Sequence, residues 1–433
     1  MKNKVITKMI AVKRKISITD ELKDFIFKNI NYRRKVYNDF VEESRKYDNI
    51  KDFNPLSYRT KYFNEVEKPN NIYDEYCVGI SEQVANDIKN GKKSMKGNKR
   101  LYNSLLRFKK YDPFKGAFKV HCKPTLLETS KDMIKPFSRI NIFDDETIDF
   151  RIRNGYKILI NLEESLFDNV FFKDDKSKPL FYNKKQQYYF SRLDVKEISF
   201  NHEIGNFYIV LYIEACFIIN MNHVMKKKIC GIDLGIHNPC MLYDGKNLKL
   251  YKFTEKERNR IKYLERRVKK LQHIMDNKLT INNNRKTKNY YKVLKKYRIT
   301  NRKISNIKLN WRRKIANEIS NKYAIVCIDN FKQPSILTHK EYGLSNYAIR
   351  CINSSNRLHG TYYLYKTICN FIYKKGGLVI RSPKNSTCIC NKCGFMNKKL
   401  LLTSRYLICS NCENIIDRDE NAAINCYNHL LNS

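Results

Sequence analysis

Two cysteine pairs carry the most specific chemistry in the sequence. Cys390-x2-Cys393 and Cys409-x2-Cys412 are separated by fifteen residues, and two such pairs on tight turns can place four thiolates at the corners of a tetrahedron. That closed arrangement is the one structural zinc prefers, and it leaves no open position to activate water. The expected zinc is therefore structural. Cys388 lies beside the first pair, but its spacing does not fit a knuckle. The chain has 14 cysteines, and their clustering near one end argues for reduced thiols and metal ligation over a disulfide framework.

A set of acids is the second signal. Asp233 closes an apolar strand and is followed by Leu234 and Gly235; Asp329 closes another, YAIVCIDNF (323–331); Asp417 and Asp419 lie in DRDENAAIN, ahead of an alanine-rich helix. One acid at a strand end most often caps or turns. Three sites of one form in a strongly cationic chain ask for more. Phosphodiester hydrolysis gives a reason to gather carboxylates, because two Mg²⁺ ions roughly 4 Å apart activate a water and stabilise the leaving oxygen.

The rest of the chain supplies a surface for a polyanion. Its 433 residues carry a net charge of +42, while apolar residues at 42% and aromatics at 12% leave enough to build a core, which excludes wholesale disorder. The longest apolar stretch, 207–220, is short for a bilayer and interrupted by Glu214. The N-terminus, MKNKVITKMIAVKRK, has no apolar h-region before its basic residues, so no secretory signal is expected. Cytosol or nucleus is the expected location, with no membrane partner, and the length suggests about three structural units.

Periodicity places these residues on elements. Residues 4–16 read as a strand and Thr19 as the N-cap of a long helix to about 46, with Leu22, Phe25, Ile26, Ile30, Tyr37, Phe40 and Val41 on one face and Arg33, Arg34 and Lys35 on another. A lysine- and glycine-rich turn follows at 91–98. From 117 to 225 short Ile, Val, Phe and Tyr runs (117–121, 137–142, 156–162, 186–192, 196–200 and 206–213) predict strands, so a β-rich module is split by a helical insert. From 226 an α/β pattern begins. Thr254 and Glu257 form a capping box for a cationic helix with Ile261, Leu264, Val268 and Leu271 on its apolar face. A polar break at 277–289 precedes further helix ending at 311–320. The charged faces could be merely solvated or could track a phosphate backbone. Tyr290 and Tyr291 could stack on bases or sit in the core.

The order of motifs (apolar strand into GIDLG, long basic helices, apolar strand into an acid, CxxC…CxxC, then D-R-D-x-N-A-A-x-N) resembles the C-terminal half of TnpB, the transposon-encoded RNA-guided nuclease. Miniature type V CRISPR effectors and the Fanzor proteins share that order. The resemblance is specific over 226–433 and architectural over 1–225. It implies a RuvC nuclease domain of ribonuclease H-like fold (226–386 and 414–433) interrupted by a zinc-ribbon target-nucleic-acid-binding insert (387–413). Before it would lie a β-barrel-like wedge domain (1–18 and 116–225) interrupted by a helical recognition lobe (19–115). The implied partners are a guide RNA and double-stranded target DNA, read by base pairing and bound through charge and shape, by one or two copies of the protein.

The resemblance further implies that Asp233, Asp329 and Asp419 hold two Mg²⁺ ions and that Cys390, Cys393, Cys409 and Cys412 hold Zn²⁺. Asp419 has the motif's D-x-N-A-A spacing, and Asp417 is a supporting candidate. The second position departs from the pattern, with Asp329 where the family has glutamate, one methylene longer. Glu341 or Glu420 could compensate. The leading expectation is a Mg²⁺-dependent, RNA-guided DNA endonuclease. A guide-dependent DNA binder that represses without cutting is the alternative, and a zinc-ribbon nucleic-acid binder that needs no guide is the third.

Overall fold

The computed structural model describes residues 4–47, 52–65, 80–88, 106, 109–126, 140–142, 147–151, 157–163, 171–173, 180–183, 188–219, 228–235, 238–328, 346–375, 377–382, 385–398, 400 and 404–432. The turn expected at 91–98 lies outside them. The chain forms two compact units, one chiefly of residues 217–433 and the other of residues 7–182 and 190–216. Among the described residues, no helix is long and apolar enough to cross a membrane.

The unit of residues 7–182 and 190–216 is β-rich with a helical insert, as the periodicity predicted. Strand β1 (Lys4–Lys15) leads into helix α1 (Asp20–Ser44). The Thr19 side chain accepts from the Leu22 N–H, satisfying a helix donor that otherwise has no partner. Helix α2 (Pro55–Glu65) follows, then strands β2 (Lys115–Leu126), β3 (Ile140–Ile142), β4 (Thr147–Arg151), β5 (Lys157–Asn161), β6 (Phe171–Lys173), β7 (Leu180–Asn183), β8 (Tyr188–Glu203) and β9 (Asn206–Ile219). One sheet has the order β1-β9-β8-β7-β6 with β2 also on β8, and β3, β4 and β5 form a second. Helix α1 lays its apolar stripe on the first sheet, where Phe25 meets Phe118 and Phe200 edge-on at 5.9 and 6.3 Å. The basic side of α1 is less free than the pattern implied. Arg33 donates to Gln83 Oε1, and Arg34 lies over the Tyr111 ring, leaving Lys35 exposed.

The unit of residues 217–433 is α/β. Strands β10 (Lys228–Asp233), β11 (Cys240–Tyr243) and β12 (Leu248–Tyr251) form an antiparallel meander, and β13 (Tyr323–Ile328) and β14 (Leu378–Arg381) add in parallel to the other side. The sheet order is β12-β11-β10-β13-β14, so β10 is central. Between β12 and β13 run helix α3 (Glu255–Ile281) and helix α4 (Lys288–Lys322). Thr254 and Glu257 make both bonds of the capping box. Ile261, Leu264, Trp311, Ile315 and Ile319 from these helices share one core with Ile232, Leu242, Val326 and Ile328 from the sheet. Helices α5 (Asn346–His359), α6 (Thr361–Lys374) and α7 (Arg418–Leu431), with the hairpin β15 (Tyr406–Ile408) and β16 (Ile415–Asp417), complete the unit.

Candidate functional site

The central strand and the last helix approach each other with no side chain between them. A Cβ on Gly231 would lie 2.2 Å from the Ala423 carbonyl oxygen and 2.4 Å from the Tyr427 nitrogen, so α7 rests directly on the backbone of β10. Ala423 is fully buried in that contact, and Ala422 beside it is fully buried too. The contact fixes where the acids go. Asp233 is the last residue of β10, and Asp419 stands in the first turn of α7. Asp419 Oδ2 lies 3.2 Å from where a Cβ on Gly235 would sit, two residues beyond Asp233. Both carboxylates are buried, Asp233 at 7% and Asp419 at 3% exposure. Their influence reaches the neighbours: burial pushes the Cys240 thiol up, and the charge of Asp233 adds to it.

Arg405, which nothing in the sequence singled out, completes the cluster. Its guanidinium lies 2.6 Å from Asp417 and 2.9 Å from Asp419. Burial opposes that charge, but Asp419 and Asp417 outweigh it and hold the guanidinium above its ordinary value. A buried carboxylate needs a partner of this kind, because removing one member leaves an uncompensated charge. Only the hairpin register could have revealed Arg405: Tyr406 pairs with Asp417, and the Arg418 N–H donates to the Arg405 carbonyl, so the arginine is set beside the start of α7.

Asp417 has a local duty. It is the N-cap of α7, its carboxylate accepting from the Asp419 and Glu420 N–H groups, where the helix dipole favours a negative charge. The acids thus lie in the cap and first turn of α7 and not ahead of it. Burial, then Asp417, raises the Glu420 carboxyl above its usual range. Asp329 and Glu341 lie outside the described residues; β13 ends at Ile328, which pairs with Ile232.

All four expected zinc ligands come together. The sulfurs of Cys390, Cys393, Cys409 and Cys412 lie within 4.8 Å of one another, with Cys390–Cys412 at 3.7 Å and Cys393–Cys409 at 3.5 Å. Four thiolates at Zn–S of about 2.3 Å have tetrahedral edges of about 3.8 Å, so the cluster can hold a zinc ion. Each pair sits on a knuckle. The Cys390 N–H donates to the Phe395 carbonyl and Gly394 N–H returns to Cys390; Cys409 and Asn414 repeat the pattern. Gly394 and Glu413 take the left-handed conformation that closes each turn. A backbone hydrogen bond from Phe395 lowers the Cys393 thiol. Burial alone would raise Cys409, but backbone hydrogen bonds from Cys412 and Asn411 bring it down to about 6. Both favour the thiolate a metal needs, whereas Cys412, despite a backbone hydrogen bond from Asn414, is pushed up to about 12 by its neighbours Cys393 and Cys409. Cys388 is buried outside the cluster, its carbonyl accepting from Asn397.

The ribbon is tied to α7. Asn421 and Asn425 each donate to the carbonyls of Ser386 and Ile389, and the Asn391 N–H donates to Asn421 Oδ1. This tie explains why the ribbon does not separate as a third unit. On the other side of the sheet's core, α3 leaves Arg258, Arg260, Lys262, Arg266, Arg267, Lys269 and Lys270 exposed. Tyr290 is buried and belongs to the core, whereas Tyr291 is half-buried beside it.

A family model falls on the same region. Residues 362–426 match the family described as "Cas12f1-like, TNB domain". The TnpB-like proteins L79 and L770 of Acanthamoeba polyphaga mimivirus are each 27% identical over 201 residues, 46% of this chain and 37% of theirs. The match therefore spans little more than a third of those curated relatives. Among solved structures, the cryo-EM Cas12f1–sgRNA–target DNA complex aligns over 98% of this chain and 99% of its own, with 16% identity and a TM-score of 0.31. By its sequence this chain is similar to TnpB-like proteins and, over the ribbon and its flanking helices, to the miniature type V group that the order of its motifs resembles.

Proposed function

We propose that this chain is an RNA-guided DNA endonuclease that hydrolyses phosphodiester bonds with two Mg²⁺ ions held by Asp233, Asp419 and Asp329. The observation that carries the reading is the pair of buried carboxylates, Asp233 and Asp419, brought to the end of one central strand by the close packing of α7. Arg405 and Arg418 lie 2.9 and 3.6 Å from the two oxygens of Asp419, and hard carboxylate oxygens suit Mg²⁺. When bound, the ions would activate a water and stabilise the leaving oxygen. The protein's own groups orient the acids: Asp417 fixes the start of α7, Arg405 holds Asp419, and Gly235 leaves room beside it. Asp329 follows Ile328 directly in the sequence, one residue beyond the pairing of Ile328 with Ile232.

The sheet order supports the ribonuclease H-like RuvC reading of 226–386 and 414–433, with 387–413 as the zinc-bearing insert. Residues 1–18 and 116–225 are assigned to a wedge domain and 19–115 to a recognition lobe, and together with the cationic α3 they would bind the guide RNA and its duplex with target DNA. The site of action is the compartment holding that DNA, the host cytoplasm or nucleus. The test is to purify the protein with its RNA, sequence that RNA, and offer DNA matched to it. Cleavage of matched DNA alone, in the presence of Mg²⁺, supports the reading; absence of a defined co-purifying RNA contradicts it.

The shorter side chain at 329 favours a second reading, a guide-dependent DNA binder with little or no cleavage. The comparison of wild type with Asp329→Glu decides between them. Activity appearing only in the variant assigns the natural chain to binding.

A further inference from the structure

We infer that Asn421 and Asn425 are positioning residues that couple occupancy of the four-cysteine cluster to the start of α7, where Asp419 stands. Asparagine is a poor helix former, yet two occur one turn apart within α7, both buried, so helix preference does not account for them. Their amides do. Asn421 Nδ2 reaches the Ser386 carbonyl at 3.3 Å and that of Ile389 at 2.8 Å, and Asn425 Nδ2 reaches the same two at 2.8 and 2.7 Å. Those carbonyls belong to the segment entering the first knuckle. Within the knuckle, the Asn391 N–H, between Cys390 and Cys393, donates to Asn421 Oδ1 at 2.9 Å. Asn414, from the second knuckle, donates to Asn391 Oδ1 at 3.2 Å. The first metal-binding turn is therefore fastened to one face of the helix, two and six positions beyond Asp419, and the second turn reaches that face through Asn391.

The physical consequence follows from what buried amides cost when unpaired, roughly 1–3 kcal/mol each. With metal on the four sulfurs the knuckle holds its carbonyls still, and both amides are satisfied. Without it the turns loosen, the acceptors move, and the first turns of α7 keep only the Asp417 cap and the Arg405 ion pairs. Such outer contacts around a metal centre commonly matter about 10- to 100-fold. The importance of this to catalysis rests on the nuclease reading of Asp419; the coupling itself does not.

The experiment uses the full chain with its co-purified RNA, as wild type, as Asn421→Ala/Asn425→Ala, and as the milder Asn425→Ala, which places a strong helix former in the helix. Zinc release to a chromogenic chelator is timed, and hydrogen exchange of amides in 418–425 is followed by mass spectrometry before and after zinc removal. In wild type, removing zinc should speed that exchange about tenfold, the factor that matches one buried amide losing its partner. In the double variant zinc should leave about tenfold faster, and exchange should be fast whether or not zinc is bound, with Asn425→Ala between. A merely structural role would speed exchange without abolishing its zinc sensitivity. Equal zinc release in wild type and both variants, or undiminished zinc sensitivity of 418–425, overturns the coupling. Mn²⁺ binding measured alongside by electron paramagnetic resonance reports on the other reading: no Asp419-dependent binding sinks the nuclease assignment and leaves the coupling standing.

Discussion

Gly231 of the central strand and Ala423 of the last helix meet backbone to backbone, with room for no side chain on the glycine. A methyl group there would press on a carbonyl oxygen and a peptide nitrogen, and neither can rotate away. Gly231→Ala should lower stability by about 1–3 kcal/mol or more, the cost of forced overpacking, and should move Asp419 away from Asp233. Urea unfolding checks the first part; an unchanged midpoint contradicts the packing described.

Metal content separates the four cluster cysteines from their neighbour. Cys393→Ser should abolish stoichiometric zinc and loosen the ribbon, because the site's metal binding and its folding are linked. Cys388→Ala should retain one zinc per chain, since this thiol lies outside the cluster. Elemental analysis of the two purified variants distinguishes them, and zinc loss from Cys388→Ala would mean the ligand set is wrong.

His359 gives stability a pH dependence of known sign. Burial, then the charges of Arg258 and Lys308, lower its ring to about 4, and it stacks on Phe253 with centroids 5.7 Å apart. The unfolded ring titrates near 6.5, so between about pH 6.5 and about pH 4 only the unfolded chain takes up this proton. Stability should therefore fall as pH drops through that window, with no further contribution from this group below it. Urea midpoints should show one proton's less slope in His359→Gln, and an unaltered slope would contradict the burial of a neutral ring.

The exposed charge on α3 predicts salt-sensitive binding. Replacing Arg266, Arg267, Lys269 and Lys270 with glutamine should weaken RNA binding and flatten its dependence on salt, by up to about 0.9 in log–log slope for each duplex phosphate that is no longer neutralised. Fluorescence titrations at several salt concentrations measure this. An identical slope would mark these residues as a solvated face.

What was legible in the sequence was local. Thr19 and the Thr254–Glu257 box act through partners three residues away, and each CxxC pair sits on its own short turn, so spacing alone predicts these features. The break expected at 277–289 proved shorter. Helix α3 continues to Ile281, with Thr280 bonded back to the Asp276 carbonyl and Asn282 to that of Lys278, and the chain turns at Asn283 and Asn284 in the left-handed region. Arg405 was illegible because its partnership with Asp419 depends on a hairpin register. The need for glycine at 231 was illegible too, because the helix that crowds it arrives almost two hundred residues later.

Divalent-dependent cleavage by Asp419→Ala decides whether the proposed site of Asp233 and Asp419 cuts DNA. The guide-bound variant should bind matched DNA as wild type does and cut none of it at any Mg²⁺ concentration. Cleavage at the wild-type rate with Asp419 gone would mean that Asp419 holds no catalytic ion.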